Sequence, residues 1–172
     1  TGIGCEIFND YENNIASSLY AHAEGSGTKA TAPSTHAEGS GTAASNTYAH
    51  AEGNSTTASG ISSHAEGENT TASGYCSHAE GYNAVADGGY SHAEGYNALA
   101  SGWYSHAGGI NSKAKAEASF AHGMYAVSDY RGGAAFGVSN KTKDALFVVG
   151  NGSPGGSYES DALVLDNAGN LW

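Results

Sequence analysis

The sequence predicts an all-β protein, a parallel β-solenoid built from 14-residue coils that stack along one axis. Seven histidines recur at intervals of 14 residues, alanine follows this column in all nine repeats, and glycine stands three positions after it in all nine. A short fixed period indicates stacked units, because one such unit cannot bury its own face. The histidines of this column are His22, His36, His50, His64, His78, His92 and His106.

Each repeat has room for two short strands and two tight turns. In the unit from Ser77 to Tyr90, two segments are separated by residues that favour turns. Fourteen residues are too few for a pair of helices, and glycine at this density disfavours helix. We expect strands of about five residues, with each coil pairing with the next at about 4.8 Å. The roll should span residues 11–137, between an N-terminal lead-in at 1–10 and a β-rich C-terminal connector at 138–172.

The alternation of side chains along a strand assigns the interior of the coil. Ser77, Ala79 and Gly81 should point inward, because their columns stay small in every repeat. In the second strand, Thr70 and Ala72 belong to columns that are also small, so they should complete the interior. The alanines predicted to fill the coil are Ala23, Ala37, Ala51, Ala65, Ala79, Ala93, Ala107, Ala121 and Ala135.

The columns of histidine and glutamate point out of the coil, yet they do not vary as solvated columns would. Towards the C-terminus they become aromatic, which favours burial against a partner. The natural partner is another copy of the same rod, in which ring N–H groups and carboxylates satisfy each other. We expect this interface to contain His22, Glu24, His36, Glu38, His50, Glu52, His64, Glu66, His78, Glu80, His92, Glu94, His106, Phe120, His122 and Phe136.

The composition excludes several classes of function. Six basic and 17 acidic residues give a net charge of −11, so the chain offers no basic surface to phosphates and nucleic-acid binding is not expected. Large apolar side chains are few, but the strict register disfavours disorder. Cys5 and Cys76 form neither a metal-binding spacing nor a disulfide framework. No signal peptide or bilayer-spanning stretch is evident, and the chain reads as part of a longer polypeptide.

The repeat Ser-His-Ala-Glu-Gly-x-x-Thr-x-Ala-Ser-Gly-x-x resembles the 14-residue head repeat of YadA-type trimeric autotransporter adhesins. Its His-Ala-Glu version is similar to the variant found in bacteriophage tail fibres. The resemblance covers residues 11–137 and implies a trimeric, left-handed parallel β-roll whose His/Glu columns lie between subunits. Segments 145–152 and 162–170 resemble the region that precedes a C-terminal chaperone domain in such fibres. A virion tail fibre and a bacterial surface adhesin both stay open as origins.

Neither catalysis nor a metal site is expected from the repeated His-x-Glu pattern. Imidazole and carboxylate suit zinc, but uniform repetition favours a hydrogen-bonded ladder in which each glutamate fixes a histidine tautomer. Ser63, His64 and Glu66 have the residue types of a catalytic triad, but alternation places the serine on the opposite face from the histidine. We therefore expect no enzymatic activity and no cofactor.

Aromatic residues in the turns are the candidate receptor contacts. Exposed aromatic side chains often form binding surfaces, because they combine an apolar face with a polar group. The expected ligand is a glycan or polymer of the host cell surface, and the alternative is a ladder of rings that only covers the coil edge. The candidates, which stacking should bring together, are Tyr82, Tyr90, Tyr96, Trp103 and Tyr104.

These observations predict a non-enzymatic, extracellular, homotrimeric fibre or adhesin segment that attaches to host cells, in a phage tail fibre or other receptor-binding fibre. Two alternatives stay open: the head of a bacterial trimeric autotransporter adhesin, and a purely structural spacer rod. The concentration of rings between Tyr75 and Tyr104 favours binding, whereas the uniformity of the repeats favours the spacer. No membrane insertion by this segment is expected.

Overall fold

The computed structural model describes residues 3–8, 13–155 and 157–172, and these residues form strands and turns but no helix. About ten coils stack into a solenoid, and each coil up to the one that begins with β17 contributes one longer and one shorter strand. The longer strands and the final hairpin strand are β1 (Glu6–Phe8), β3 (His22–Ser26), β5 (His36–Ser40), β7 (His50–Asn54), β9 (His64–Glu68), β11 (His78–Tyr82), β13 (His92–Tyr96), β15 (His106–Ile110), β17 (Phe120–Met124), β19 (Ala134–Val138), β20 (Phe147–Asn151) and β21 (Asp161–Leu165). The shorter strands are β2 (Ile15–Ala16), β4 (Lys29–Ala30), β6 (Ala43–Ala44), β8 (Thr57–Ala58), β10 (Thr71–Ala72), β12 (Val85–Ala86), β14 (Leu99–Ala100), β16 (Lys113–Ala114) and β18 (Val127–Ser128).

Each solenoid strand lies parallel to the equivalent strand of the next coil, so identical columns stack on one another. In β11, for example, His78 pairs with His64 on one side and with His92 on the other. Within the described residues the longer strands form a 12-stranded sheet and the shorter ones a 9-stranded sheet. This pairing confirms the predicted all-β solenoid. The last coil is one residue shorter, since Ala134 pairs with Phe147, and β21 then adds to β20 as an antiparallel strand.

Small side chains fill the narrow interior of the coil. The nine alanines that follow the histidine column are each 0% exposed, and Thr70 and Ala72 of the facing wall are equally buried. Among the described residues, Val148 has the largest fully buried side chain. Burial of each alanine methyl stabilises the folded state by on the order of 0.8 kcal/mol. The solenoid therefore depends on many small contributions and on its two hydrogen-bonded sheets, without a conventional core of large apolar residues.

The second strand of each coil has two residues, where the sequence predicted about five. The reason is that both turns of a coil contain a residue in the left-handed conformation, which takes it out of the strand. In the coil that begins with β11, these residues are Asn83 (φ 52°) and Tyr90 (φ 56°). Asparagine tolerates this region better than most residues do. The five-residue prediction is correct for the longer strand alone.

The glycine column does not face the interior, which corrects the sequence prediction for Gly81. This glycine is exposed near the end of β11 and has a φ of +105°. A Cβ atom at this position would collide with the carbonyl oxygen of Gly95 in the next coil. The position therefore needs glycine for its positive φ and for the close approach of two backbones, and not to save interior volume.

Candidate functional site

The parallel register turns the histidine column into a continuous stack of imidazoles on the outer face of the large sheet. From His36 to His92, neighbouring ring centroids are 4.7–4.9 Å apart and the ring planes lie within 8° of parallel. This spacing matches the separation of strands in a sheet. The backbone pairing thus sets the geometry of the stack.

Each histidine of the stack reaches towards the glutamate of the preceding coil. The Nε2 atom of His92 lies 3.1 Å from Oε1 of Glu80, within hydrogen-bond distance. Nearer the N-terminus the equivalent atoms of His36 and Glu24 are 3.6 Å apart. In the single chain these side chains stay about a third exposed. We call the stacked histidines and their glutamates the His/Glu ladder; it comprises His22, His36, His50, His64, His78, His92, His106, Glu24, Glu38, Glu52, Glu66, Glu80 and Glu94.

The glutamates of the ladder form a row of negative charge. In the described part of the chain these glutamates contact histidines, whereas the basic side chains that form ion pairs, Lys115, Arg131 and Lys143, contact other carboxylates. Carboxylates repeated at the strand spacing repel one another. Glu24, Glu38, Glu52 and Glu66 also line a shallow groove of about 880 Å³, together with the neighbouring glycines. The groove is therefore an electronegative surface that favours a cation.

Burial and neighbouring rings disfavour protonation in the middle of the stack. Desolvation, followed by the adjacent rings of His64 and His36, lowers the pKa of His50 below its usual value. Glu52 and Glu38 act in the opposite direction but do not reverse the shift. At pH 7 the His50 imidazole is therefore neutral, with one ring nitrogen that carries a free lone pair.

The outward column becomes aromatic at its C-terminal end. The ring of Phe120 lies 4.8 Å from His106 and 5.2 Å from Phe136, and Phe136 lies 5.6 Å from Phe147. His122 is about half exposed beside this apolar ladder. The sequence analysis missed Phe147 because the shortened last coil brings it into the column out of the 14-residue register.

The structure separates the candidate receptor contacts into two groups, whereas the sequence predicted one. Tyr82 and Tyr96, the tyrosine pair, stack at 5.1 Å where the long strand ends. Tyr90, Trp103 and Tyr104 lie at the other turn, about 20 Å along the strand direction. There the rings of Tyr90 and Tyr104 stack at 5.2 Å, with Trp103 against both. Tyr96 follows Tyr90 by six positions of extended chain. The stacking of coils therefore does not bring the two groups of rings together.

Tyr75 joins the second group, with its ring 5.2 Å from Tyr90 in an edge-to-face arrangement. We call Tyr75, Tyr90, Trp103 and Tyr104 the ring cluster. Trp103 and Tyr104 are 56% and 57% exposed, so their faces are available to a ligand. In the sequence, Tyr75 stands one position before the column that contains Tyr90 and Tyr104. It belongs to the ring cluster because the turn brings its ring against that of Tyr90.

A cleft of about 550 Å³ adjoins the ring cluster. Trp103 and Tyr104 form one wall, and Lys115 and Glu117 of a following coil supply charged groups to it. The guanidinium of Arg131 donates a hydrogen bond of 3.0 Å to the carboxylate of Glu117. The sequence analysis did not single out Lys115 or Glu117, because their proximity to the rings depends on how the coils stack. An aromatic wall beside charged hydrogen-bonding groups is typical of a small ligand site.

The serine before each histidine has a structural role. Ser63 is buried and its hydroxyl donates a hydrogen bond of 2.7 Å to the carbonyl of Gly60, and Ser77 contacts Gly74 in the same way at 2.8 Å. The hydroxyl therefore closes the turn and faces away from His64. This geometry disfavours a serine nucleophile activated by histidine.

Comparison with known proteins adds no family. No protein-family model matches this sequence, and no curated protein is significantly similar to it. A search of the described residues for a helix long and apolar enough to span a membrane finds none.

Proposed function

We propose that this protein is a non-enzymatic, homotrimeric fibre segment that attaches to the surface of a host cell, as part of a virion tail fibre or a bacterial surface adhesin. The observation that carries the proposal is the exposed ring cluster at one turn of a rod of stacked coils. Aromatic rings bind the apolar faces of sugars, and the adjoining cleft offers charged groups to sugar hydroxyls. The proposed ligand is a cell-surface glycan or polymer, and the proposed location is extracellular.

The trimer is supported by the outward face of the large sheet. The His/Glu ladder is uniform over six coils and then gives way to the apolar rings of Phe120, Phe136 and Phe147. A continuous strip of this kind is better buried against other copies of the rod than left in water. Three copies would also provide three ring clusters, so that a weak single-site affinity becomes firm attachment. We propose a left-handed roll with the ladder between subunits.

A spacer rod is the second candidate function. The repeated turns and the unbroken parallel pairing from β2 to β18 favour a segment that supplies length and rigidity. In that case a domain elsewhere in the polypeptide would bind the receptor. The two candidates differ in what happens when the ring cluster is removed.

The test measures binding to immobilised bacterial and animal glycans. Trp103→Ala with Tyr104→Ala should abolish binding while the melting temperature stays unchanged, because both rings are exposed. The matched control is Tyr82→Ala with Tyr96→Ala, which removes two stacked rings at the opposite turn and should leave binding intact. Equal binding by all three proteins would favour the spacer. Native mass spectrometry tests assembly separately, and a well-folded monomer would contradict the proposed trimer.

A further inference from the structure

We propose that the His/Glu ladder binds several zinc-like divalent ions along the rod, with two or three side chains from adjacent coils at each ion. The repeated pattern alone favoured a hydrogen-bonded ladder, but the distances between ligand atoms point to metal. Five sets of three side chains place their ligand atoms within 4.8 Å of one another. All ligands of a set belong to one chain, and in the proposed trimer these sets would line the space between subunits.

The first set shows the geometry most clearly. Glu24 lies between His22 and His36, and its two oxygen atoms are each 3.6 Å from one Nε2 atom. That separation is too long for a hydrogen bond. Zinc bonds to nitrogen and oxygen measure about 2.0–2.2 Å, so two ligands of a tetrahedral ion lie about 3.4 Å apart. Each histidine nitrogen is therefore spaced from a carboxylate oxygen of Glu24 as two ligands of one ion would be, and the three ligand atoms of the set lie within 4.8 Å of one another.

Unpartnered nitrogen atoms supply a second, independent observation. The Nε2 atoms of His36, His50, His64 and His78 are buried and have no hydrogen-bond partner. A buried polar atom without a partner is costly, and such atoms are uncommon in folded proteins. A metal ion bound to Nε2 would satisfy this atom in His36, His50 and His78, which belong to three sets that share no side chain. The neighbouring carboxylate would then share the ion instead of accepting a hydrogen bond.

Electrostatics favour the same conclusion. The glutamates of the ladder have no lysine or arginine partner in the described part of the chain, and the groove that they line is electronegative. Divalent ions bound along the ladder would compensate that charge. Imidazole together with carboxylate selects zinc, nickel or copper over magnesium and calcium, which prefer oxygen ligands alone.

The spacing of the coils limits the number of ions. Ions on successive coils would stand only about 4.8 Å apart and repel each other strongly. Each ion also needs its own ligands, and four of the five sets share no side chain with one another. They are His22, Glu24 and His36; Glu38, His50 and Glu52; His78, Glu80 and His92; and Glu94, His106 and His122. The remaining set shares Glu52 with the second. We expect about four ions per chain.

The experiment uses the whole chain, stripped of metal with a chelator and then titrated with zinc. Calorimetry and metal analysis should give about four zinc ions per chain. Cobalt should bind with the visible absorption of a tetrahedral or five-coordinate site, and magnesium should not compete. Zinc should raise the melting temperature, because it binds the folded ladder and not the unfolded chain.

Two substitutions locate the ions. Glu24→Gln and Glu80→Gln each remove the carboxylate of one set, so each should lower the zinc stoichiometry by about one, and the double variant by about two. Glu68→Gln is the matched control, because Glu68 is an exposed glutamate on β9 outside every set. If a Glu→Gln variant fails to fold, His22→Gln and His92→Gln test the same two sets. Less than one ion per chain, or a stoichiometry that no ladder substitution changes, would overturn the zinc sites and leave the proposed trimer and its glycan binding untouched.

Discussion

Asn14 and Asn140 stand in the same interior column of the solenoid, 126 residues or nine 14-residue periods apart. The side-chain amide of each forms hydrogen bonds with the backbone of an adjacent coil. The Asn14 amide accepts from the N–H of Thr28 at 2.9 Å and donates to the carbonyl of Gly25 at 2.8 Å. The Asn140 amide accepts from the N–H of Val127 at 2.7 Å and donates to its carbonyl at 2.8 Å. Between them the column holds threonine, alanine or serine, and backbone groups pair directly. The two asparagines therefore supply side-chain hydrogen bonds at opposite ends of the short-strand sheet.

Asn140→Ala should destabilise the protein by about 2–4 kcal/mol, because the N–H and carbonyl of the half-buried Val127 lose these partners and the Asn140 side chain itself is fully buried. Chemical denaturation of the purified protein measures this loss. Asn54→Ala is the control: Asn54 is exposed at the end of β7, and its removal should change stability by less than about 0.5 kcal/mol. Equal effects of the two substitutions would show that Asn140 does not protect the end of the sheet.

The parts of this fold that follow from periodicity could be predicted from the sequence, and the parts that depend on turn geometry could not. The 14-residue register identified the stacked coils, and the alternation around Ala79 identified the interior wall. The same alternation placed Gly81 wrongly, because it ignores the positive φ with which the strand bends into its turn. The sequence also predicted that Tyr82 and Tyr90 belong to one cluster, which is wrong. A repeat register tells which coil a residue belongs to, but not at which of the two turns of that coil it lies.

Metal ligation was likewise beyond the sequence. The repeated His-x-Glu pattern favoured a hydrogen-bonded ladder over metal ions, because the separation between Nε2 and carboxylate oxygen atoms cannot be read from the sequence. Both pairs come from His-Ala-Glu-Gly segments, yet the Nε2 atom of His36 lies 3.6 Å from Glu24 and that of His92 lies 3.1 Å from Glu80.

Gly81→Ala should cost considerably more than the same substitution at Gly155. Both glycines have φ near +100°, so placing alanine at either position should cost about 1–2 kcal/mol of stability from backbone strain. Gly81 alone faces the carbonyl of Gly95, whereas a Cβ on Gly155 meets nothing within 4 Å. We expect an additional loss of about 2 kcal/mol or more at Gly81 from the forced separation of coils. Thermal or chemical denaturation gives the comparison, and similar losses at the two positions would contradict a role for the glycine column in stacking.

Thr42→Val should stabilise the protein by about 0.5–1.5 kcal/mol. The hydroxyl of Thr42 is buried in the coil and has no hydrogen-bond partner, so a methyl group of similar size avoids an uncompensated desolvation. Thr70→Val is the matched control in the same column, because the hydroxyl of Thr70 donates to the carbonyl of Glu66 at 3.1 Å. That substitution should be neutral or destabilising. If both changes move the melting temperature in the same direction by the same amount, the hydroxyl of Thr42 has a partner after all.

Acidification should destabilise the solenoid through the middle of the histidine stack. The pKa of His50 is lowered in the folded protein by desolvation and by His64 and His36, so between the folded pKa and the usual value of 6.5 the unfolded chain binds more protons. Stability is therefore complete above about pH 6.5 and falls as the pH is lowered through the folded pKa. Glu52 and Glu38 reduce the effect but do not change its sign. Melting temperatures measured in the presence of a chelator should stay level from pH 7.5 to about 6.5 and then fall towards pH 5. His50→Gln should flatten this fall more than His122→Gln does, because His122 is half exposed outside the regular stack. A melting temperature that is constant over this range in the native chain would show that the stacked rings accept protons as readily in the fold as in water.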